Sequence, residues 1–175
     1  MAIKILITGG TLYAFDYAKE ANAPKRKYSL VPRIFKHSRI TSGYSLGVLF
    51  LKDSKFITEK DRELVAKSCR ACKEKRIMIT HGSITMAATA KFLARKKIGK
   101  TIVLTGAITP YTKRRSDSLF NLGFAFAAAQ FLPSGVYVAM NGRIFSASNV
   151  RKNLKTQYFE EEKTSGAGRK KRKSQ

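Results

Sequence analysis

The chain has 175 residues, of which 43% are hydrophobic, and this length predicts one well-packed domain rather than two. Its 35 Lys and Arg residues against 11 Asp and Glu residues give a formal net charge of +24, which attracts polyanions but identifies no substrate. No apolar run approaches the roughly 20 residues that span a bilayer, and MAIKILITGGT lacks the pattern of a secretory signal. We therefore expect a soluble, cytoplasmic protein without membrane contact.

Apolar runs alternate with amphipathic segments along the chain. The runs that predict strands are IKILI near the start, which is typical of a strand buried on both faces, YSLGVLFL from Tyr44 to Leu51, RIMIT, TIVLTG from Thr101 and GVYVAM from Gly135. The predicted helices run from a Thr58–Asp61 capping box to about Lys75, from Met86 to Lys97 and from Leu119 to Leu132. This alternation predicts an α/β fold in a single domain: a doubly wound, mainly parallel sheet of Rossmann or flavodoxin-like type with helices on both faces.

The composition changes near the end of the chain. We predict that the α/β domain covers residues 1–160 and that residues 161–175 form a basic tail. From Lys163 the tail reads KTSGAGRKKRKSQ, with five consecutive basic residues from Arg169 to Lys173, and such a run predicts a disordered, solvated segment. A nucleic-acid contact or a nuclear address is the alternative interpretation.

The two cysteines, Cys69 and Cys72, form a C-x-x-C pattern. A tetrahedral zinc site needs about four ligands, and the sequence has no second pair. Both cysteines fall on one predicted helical face with Leu64, Val65 and Ser68, so we interpret them as small buried residues. We expect no metal and no cofactor.

Small residues and hydroxyls follow the predicted strands, in TGGT, KDS, THGS, LTGAITP and MNGR. In doubly wound folds, ligands bind beyond the carboxyl ends of the strands. Glycines there allow close approach of the backbone, and a hydroxyl can act as a nucleophile if a base removes its proton. His81 in THGS is interpreted as a residue that fixes the turn by a hydrogen bond rather than as a base, and Asp117 as a helix N-cap.

Several motifs occur together in one order, from Ile3 to about Asn153: ITGGTL, ITHGSITMAATAKFLA, KTIVLTGAITPYTKRRSDSLFNLG and GVYVAMNGRIFSASNVRKN. In these motifs the chain resembles the bacterial-type asparaginase family, in particular its short members that contain little more than the amino-terminal domain. The resemblance implies that Thr11 is the nucleophile, that Ser83 and Lys152 form its activating pair, and that Ser54 holds the substrate carboxylate.

The same resemblance implies further site residues and partners. Backbone N–H groups near Gly10 and Gly82 would contribute to binding and to oxyanion stabilisation, and Tyr17 would be the tyrosine of a loop over the site, with Tyr13 and Tyr28 as alternatives. It also implies a small-molecule amide substrate and a homo-oligomer.

One position departs from the family pattern. Ile84 stands where the family carries an aspartate that orients the lysine and holds the α-amino group of the substrate. An apolar side chain cannot accept a hydrogen bond from an ammonium group. Two functions therefore stay open: an amidohydrolase for asparagine or a related small amide, which we favour, and a catalytically silent relative that binds small molecules or polyanions through its basic surface and tail. A dinucleotide site at TGGT is not supported, because the G-x-G-x-x-G spacing is absent.

Overall fold

The computed structural model describes residues 2–10 and 29–162. Thr11, Tyr13, Tyr17, Tyr28 and the tail from residue 163 onward lie outside the described residues. The elements in chain order are β1 (Ile3–Gly9), α1 (Val31–His37), β2 (Tyr44–Lys52), a 3₁₀ turn (Ser54–Phe56), α2 (Glu59–Ala71), β3 (Arg76–Thr80), α3 (Met86–Arg95), β4 (Thr101–Thr105), α4 (Ser118–Phe131), β5 (Gly135–Met140), β6 (Arg143–Ser146), β7 (Arg151–Lys152) and β8 (Phe159–Glu160).

The main sheet has six strands in the order β2-β1-β3-β4-β5-β6. The first five pair in parallel, and β6 pairs antiparallel with β5. The parallel part has the flavodoxin-like order 2-1-3-4-5, which confirms the predicted doubly wound α/β fold. The chain reverses its direction of winding between β1 and β3, and ligands of such folds bind at this switch point.

Strands β1, β3 and β4 are buried on both faces, as their continuous apolar runs predict, whereas the edge strand β2 is half-buried and its Val48 is 56% exposed. Alternate residues of each strand face opposite ways, so Ile3, Ile5 and Ile7 of β1 pack with α1 and α4 on one face. Leu6 of β1 packs with α2 and α3 on the other face. The helices therefore form one layer on each side of the sheet, and the strand ends meet at its carboxyl edge.

Helix α2 confirms the predicted capping box and corrects two details. The Thr58 hydroxyl accepts from the backbone N–H of Asp61, and the Asp61 carboxylate accepts from the backbone N–H of Thr58. The helix ends at Ala71 rather than near Lys75, because Cys72 adopts an extended ψ of 146°. Cys69 is buried, and burial raises the pKa of its thiol to about 12, but Leu64 is 44% exposed and does not share the buried face.

Asp117 stands at the N-cap position of α4, but its side chain does not cap the helix. Its carboxylate instead accepts hydrogen bonds from the backbone N–H groups of Ile108 and Thr109 and from the side-chain amide of Asn121. Asp117 therefore holds the loop that follows β4, which corrects the N-cap interpretation.

The MNGR segment lies at the end of β5, as predicted, and forms the hairpin turn to β6. Met140 pairs with Arg143 across the β5–β6 hairpin, and the two residues between them, Asn141 and Gly142, have φ values of 56° and 72°. Two residues with positive φ are what a type I′ turn requires.

Within residues 2–10 and 29–162, every helix is too short or too polar to cross a membrane.

Candidate active site

A cavity of about 200 Å³ opens at the carboxyl edge of the sheet. It lies beyond the ends of β1, β2 and β3, next to the switch point, and the β7–β8 hairpin closes one side. The residues predicted from the sequence that line it are Gly10, Ser54, Gly82, Ser83, Ile84 and Lys152. The structure thus brings together every predicted site residue that it describes. Thr11 directly follows Gly10 in the chain but, like Tyr17, lies outside the described residues.

Two glycines permit a close approach of three segments beneath the cavity. Gly10 has a φ of +97°, and a Cβ atom there would lie 2.6 Å from the backbone nitrogen of Gly82. A Cβ atom on Gly82 would lie 2.6 Å from the Ser54 hydroxyl oxygen. Real Cβ atoms do not make such contacts, so glycine at both positions is a packing requirement. The approach places the end of β1, the Ser54 turn and the THGS segment around one space.

Ser83 and Lys152 are joined by a direct hydrogen bond. The Lys152 Nζ lies 2.9 Å from the Ser83 Oγ, although the two residues are 69 positions apart. Lys152 reaches this point because Arg151–Lys152 pairs with Phe159–Glu160 in a short antiparallel hairpin. Burial lowers the pKa of the Lys152 ammonium, since the charged form loses part of its hydration. A lysine with a lowered pKa next to a hydroxyl is suited to removing its proton.

His81, two residues before Ser83, is buried and makes two side-chain hydrogen bonds. Its Nδ1 lies 2.8 Å from the Gly82 carbonyl oxygen and its Nε2 lies 2.9 Å from the Thr89 hydroxyl. A carbonyl oxygen can only accept, so Nδ1 carries the proton and Nε2 accepts from Thr89, which in turn accepts from the Arg62 guanidinium. Desolvation lowers the pKa of His81 to about 4, with a smaller contribution from Arg62. These contacts agree with a turn-fixing role for His81.

Four further described residues line the cavity that the sequence did not name as individual site residues: Asp53, Lys55, Ile108 and Gln157. Asp53 belongs to the KDS strand end and Lys55 directly follows it, so this strand end could have indicated both. Ile108 lies in the loop that Asp117 holds. Gln157 has a φ of +65° in the β7–β8 connection, where its backbone N–H donates to the Asn153 carbonyl. Ile108 belongs to the LTGAITP strand end, which the sequence indicated, whereas no local pattern marks Gln157.

Ile84 is 49% exposed and forms part of the cavity wall immediately after Ser83. Ile108 adds a second apolar side chain to the lining. The carboxylate of Asp53 accepts from the backbone N–H of Lys55, and its second oxygen lies 3.4 Å from the Lys55 Nζ.

The described part of the chain contains no group of three or more His, Cys, Asp or Glu residues arranged to hold a metal ion.

Comparisons with known proteins agree with the residue pattern and the fold. The family model described as "Asparaginase, N-terminal" matches residues 2–168. The glutaminase-asparaginase of Acinetobacter glutaminasificans is 34% identical over 168 residues, which is 87% of this chain and 50% of that protein. A probable periplasmic L-asparaginase of Haemophilus influenzae is 41% identical over 83 residues, 45% of this chain and 24% of that protein.

Among solved structures, L-asparaginase I from Vibrio cholerae superposes with a TM-score of 0.78 at 26% identity, covering 91% of this chain and 51% of that one. The chain thus spans about half the length of the Acinetobacter and Vibrio proteins that it matches. The match of the family model to nearly the whole chain establishes its family: the protein belongs to the asparaginase family, and its fold is that of the family's amino-terminal domain.

Proposed function

We propose that this protein is an asparaginase-type amidohydrolase that releases ammonia from a small primary amide through a threonine nucleophile, Thr11. The observation that carries the proposal is the hydrogen bond between Lys152 and Ser83 at a strand-end cavity of the fold. Family membership and the names of the relatives, which are asparaginases and glutaminase-asparaginases, support the same reaction. The cavity volume of about 200 Å³ is below that of sites for drug-sized ligands and suits a small metabolite.

In the proposed reaction, the Thr11 oxygen attacks the carbonyl carbon of the amide as its hydroxyl proton is removed. The C–N bond then breaks, the nitrogen takes up a proton and leaves as ammonia, and Thr11 carries an acyl ester. Water attacks the ester, which releases the carboxylate and restores the Thr11 hydroxyl. The Ser83–Lys152 pair accepts and returns the protons, because the deprotonated lysine can take a proton from a hydroxyl.

The remaining cavity residues have proposed supporting roles. Backbone N–H groups near Gly10 and Gly82 are suited to stabilising the oxyanion of the tetrahedral intermediate. Ser54 would bind the carboxylate of the substrate with its hydroxyl. Tyr17, which lies outside the described residues, is proposed as a further catalytic residue.

The test is ammonia release from asparagine and glutamine by the native chain and by single variants. Thr11→Ala, Ser83→Ala and Lys152→Gln are expected to lose activity by about two orders of magnitude or more. Lys155→Gln, on the same hairpin, and Ser148→Ala, both exposed, are the matched controls and should retain it. If Ser83→Ala is inactive and Thr11→Ala is not, Ser83 is the nucleophile. If the native chain releases no ammonia from any small amide, the proposal is wrong.

A second candidate function, polyanion binding by a catalytically silent relative, is favoured by a different surface. A groove of about 520 Å³ lies at the opposite, amino edge of the sheet, and its described lining includes Lys73, Lys75, Arg76 and Lys100 beside one carboxylate, that of Glu74. A concave surface with this excess of cations attracts polyanions, including nucleic acid. Binding of a single-stranded oligonucleotide that falls steeply with salt, and that Lys73→Gln with Lys75→Gln weakens, would favour this function.

Helix α4 supports the predicted homo-oligomer. Its 14 residues carry no charge, and Leu119, Phe120 and Phe131 are exposed on its outer side, with Phe131 84% exposed. Exposed apolar stripes of this kind are typical of protein contacts. Light scattering of the native chain and of Phe120→Ser tests whether copies associate through α4.

The cytoplasmic location stays a prediction, since one relative is named periplasmic, and cell fractionation decides it.

A further inference from the structure

The charges around the cavity differ from those that an amino acid requires. A substrate with an α-ammonium group needs a carboxylate to bind it. Among the described residues that line the cavity, Asp53 is the one acidic residue. Both of its oxygens face Lys55: one accepts from the Lys55 backbone N–H at 3.1 Å, and the other lies 3.4 Å from the Lys55 Nζ. The described wall therefore has no spare negative charge.

The same wall has spare positive charge. The Lys55 side chain is 50% exposed, and its 3.4 Å distance to Asp53 is longer than the 2.7–2.9 Å typical of a charge-assisted hydrogen bond. An ammonium group has three donors, so Lys55 can bind an anion while it stays near Asp53. Lys152, beside Ser83, carries no charge in the form that removes a proton. Lys55 is therefore the described cation of the lining that attracts an anionic group on the substrate.

Ile84 contributes an apolar surface to the cavity wall. It is 49% exposed, lies directly after Ser83 and lines the cavity, so a bound ligand can contact it. Ile108 lines the same space. Placing an ammonium group against these side chains would remove its hydration without a replacement partner, whereas an unsubstituted methylene group would pack there favourably.

We propose that the substrate is the monoamide of a small dicarboxylic acid, without an α-amino group, and that Ile84 determines this specificity. This inference rests on the proposed amidohydrolase function. In the bound substrate, the carboxylate faces Lys55, the carbon chain packs against Ile84 and Ile108, and the amide lies near Ser83 and Lys152. Hydrolysis of the C–N bond by water yields the dicarboxylate and ammonia, and no other reactant is needed.

The probes are succinamate and asparagine, which differ only in that asparagine carries the α-amino group. We expect kcat/KM of the native chain to be higher for succinamate by about tenfold or more. Ile84→Asp should reverse the ranking, because the new carboxylate can bind the ammonium group, which of the two probes asparagine alone carries. Ile84→Asn, which has nearly the same shape without the charge, should not reverse it. Lys55→Gln should lower kcat/KM for succinamate, and Lys60→Gln, exposed at the start of α2, is the matched control.

The outcomes separate this inference from the proposed function. If the native chain releases ammonia faster from asparagine than from succinamate, the function stands and the inference is overturned. The inference is also overturned if Ile84→Asp leaves the ratio of the two unchanged. If neither compound is hydrolysed, calorimetry of both compounds tests whether the cavity prefers the ligand without an ammonium group. Tighter binding of succinamate, weakened by Lys55→Gln and not by Lys60→Gln, upholds an anionic ligand, and equal, absent or reversed binding contradicts it.

Discussion

The Lys152 Nζ donates a 2.9 Å hydrogen bond to the Ser83 hydroxyl, and this contact joins the β7–β8 hairpin to the turn before α3. The protonated lysine can only donate, whereas the deprotonated amine can accept the serine proton. The chemistry of the pair therefore depends on the protonation state of Lys152.

This dependence predicts a rise of activity with pH. Burial lowers the pKa of Lys152 from its ordinary value of 10.5, and the deprotonated fraction grows as pH increases through the lowered pKa. The rate should thus reach its plateau at a lower pH than for a solvated lysine. A pH profile of kcat tests this, with Lys152→Arg as the comparison, because arginine stays protonated. An unchanged profile in an active Lys152→Arg variant would show that another group titrates.

Gly82 should tolerate no side chain. In Gly82→Ala the new Cβ would lie 2.6 Å from the Ser54 Oγ and 3.1 Å from the Ser54 backbone nitrogen, so the Ser54 turn has to move. We expect a loss of about 1–3 kcal/mol in the free energy of unfolding, together with weaker substrate binding. Denaturant unfolding and KM measure the two effects.

The same substitution at Gly123 is the control for Gly82→Ala. Gly123 lies within α4, and a Cβ atom there would meet nothing within 4 Å. Gly123→Ala should stabilise the protein by about 0.5–1 kcal/mol, since alanine favours a helix more than glycine does. Equal effects at the two positions would contradict the packing argument.

His81 should make stability depend on pH in the acid range. Its pKa is about 4 in the folded chain and near 6.5 when solvated, so the unfolded state binds more protons between these values. The free energy of unfolding should therefore fall by about 3 kcal/mol as pH drops from 6.5 to 4. Unfolding curves across this range test it. His81→Gln should flatten the dependence and His37→Gln, on exposed α1 surface, should not. If the free energy of unfolding changes with pH equally in both variants, a group other than His81 causes the dependence.

Asp117 should stabilise the loop that carries Ile108. Removal of its carboxylate leaves the N–H groups of Ile108 and Thr109 without their acceptor. Asp117→Ala should cost about 2–3 kcal/mol of unfolding free energy, and Asp117→Asn, which keeps an acceptor oxygen, should cost less. Thermal unfolding of both variants measures the difference. A purely N-capping role predicts about 1 kcal/mol for the alanine variant, so a loss that small would contradict the present assignment.

The local patterns of the sequence determined most of the secondary structure. The apolar run from Ile3 to Ile7 predicted a strand buried on both faces, and Thr58 with Asp61 predicted the start of α2, because burial and capping depend on residues close together in the chain. The motif order also indicated Ser83, Lys152 and Ser54 as site residues. Helix α1 and strand β6 were not predicted, since their short segments lack a clear period.

Tertiary structure decided which side chains meet. The order β2-β1-β3 places Gly10, Ser54 and Gly82 around one space, and the β7–β8 hairpin carries Lys152 to Ser83 and Gln157 to the cavity. Asp117 binds a loop nine residues earlier rather than its own helix. Strand and helix formation follow from neighbours along the chain, whereas these contacts depend on strand order and on how separate segments pack. The identity of Ile84 was readable in the sequence, but its place in a wall with Lys55 and Ile108 was not.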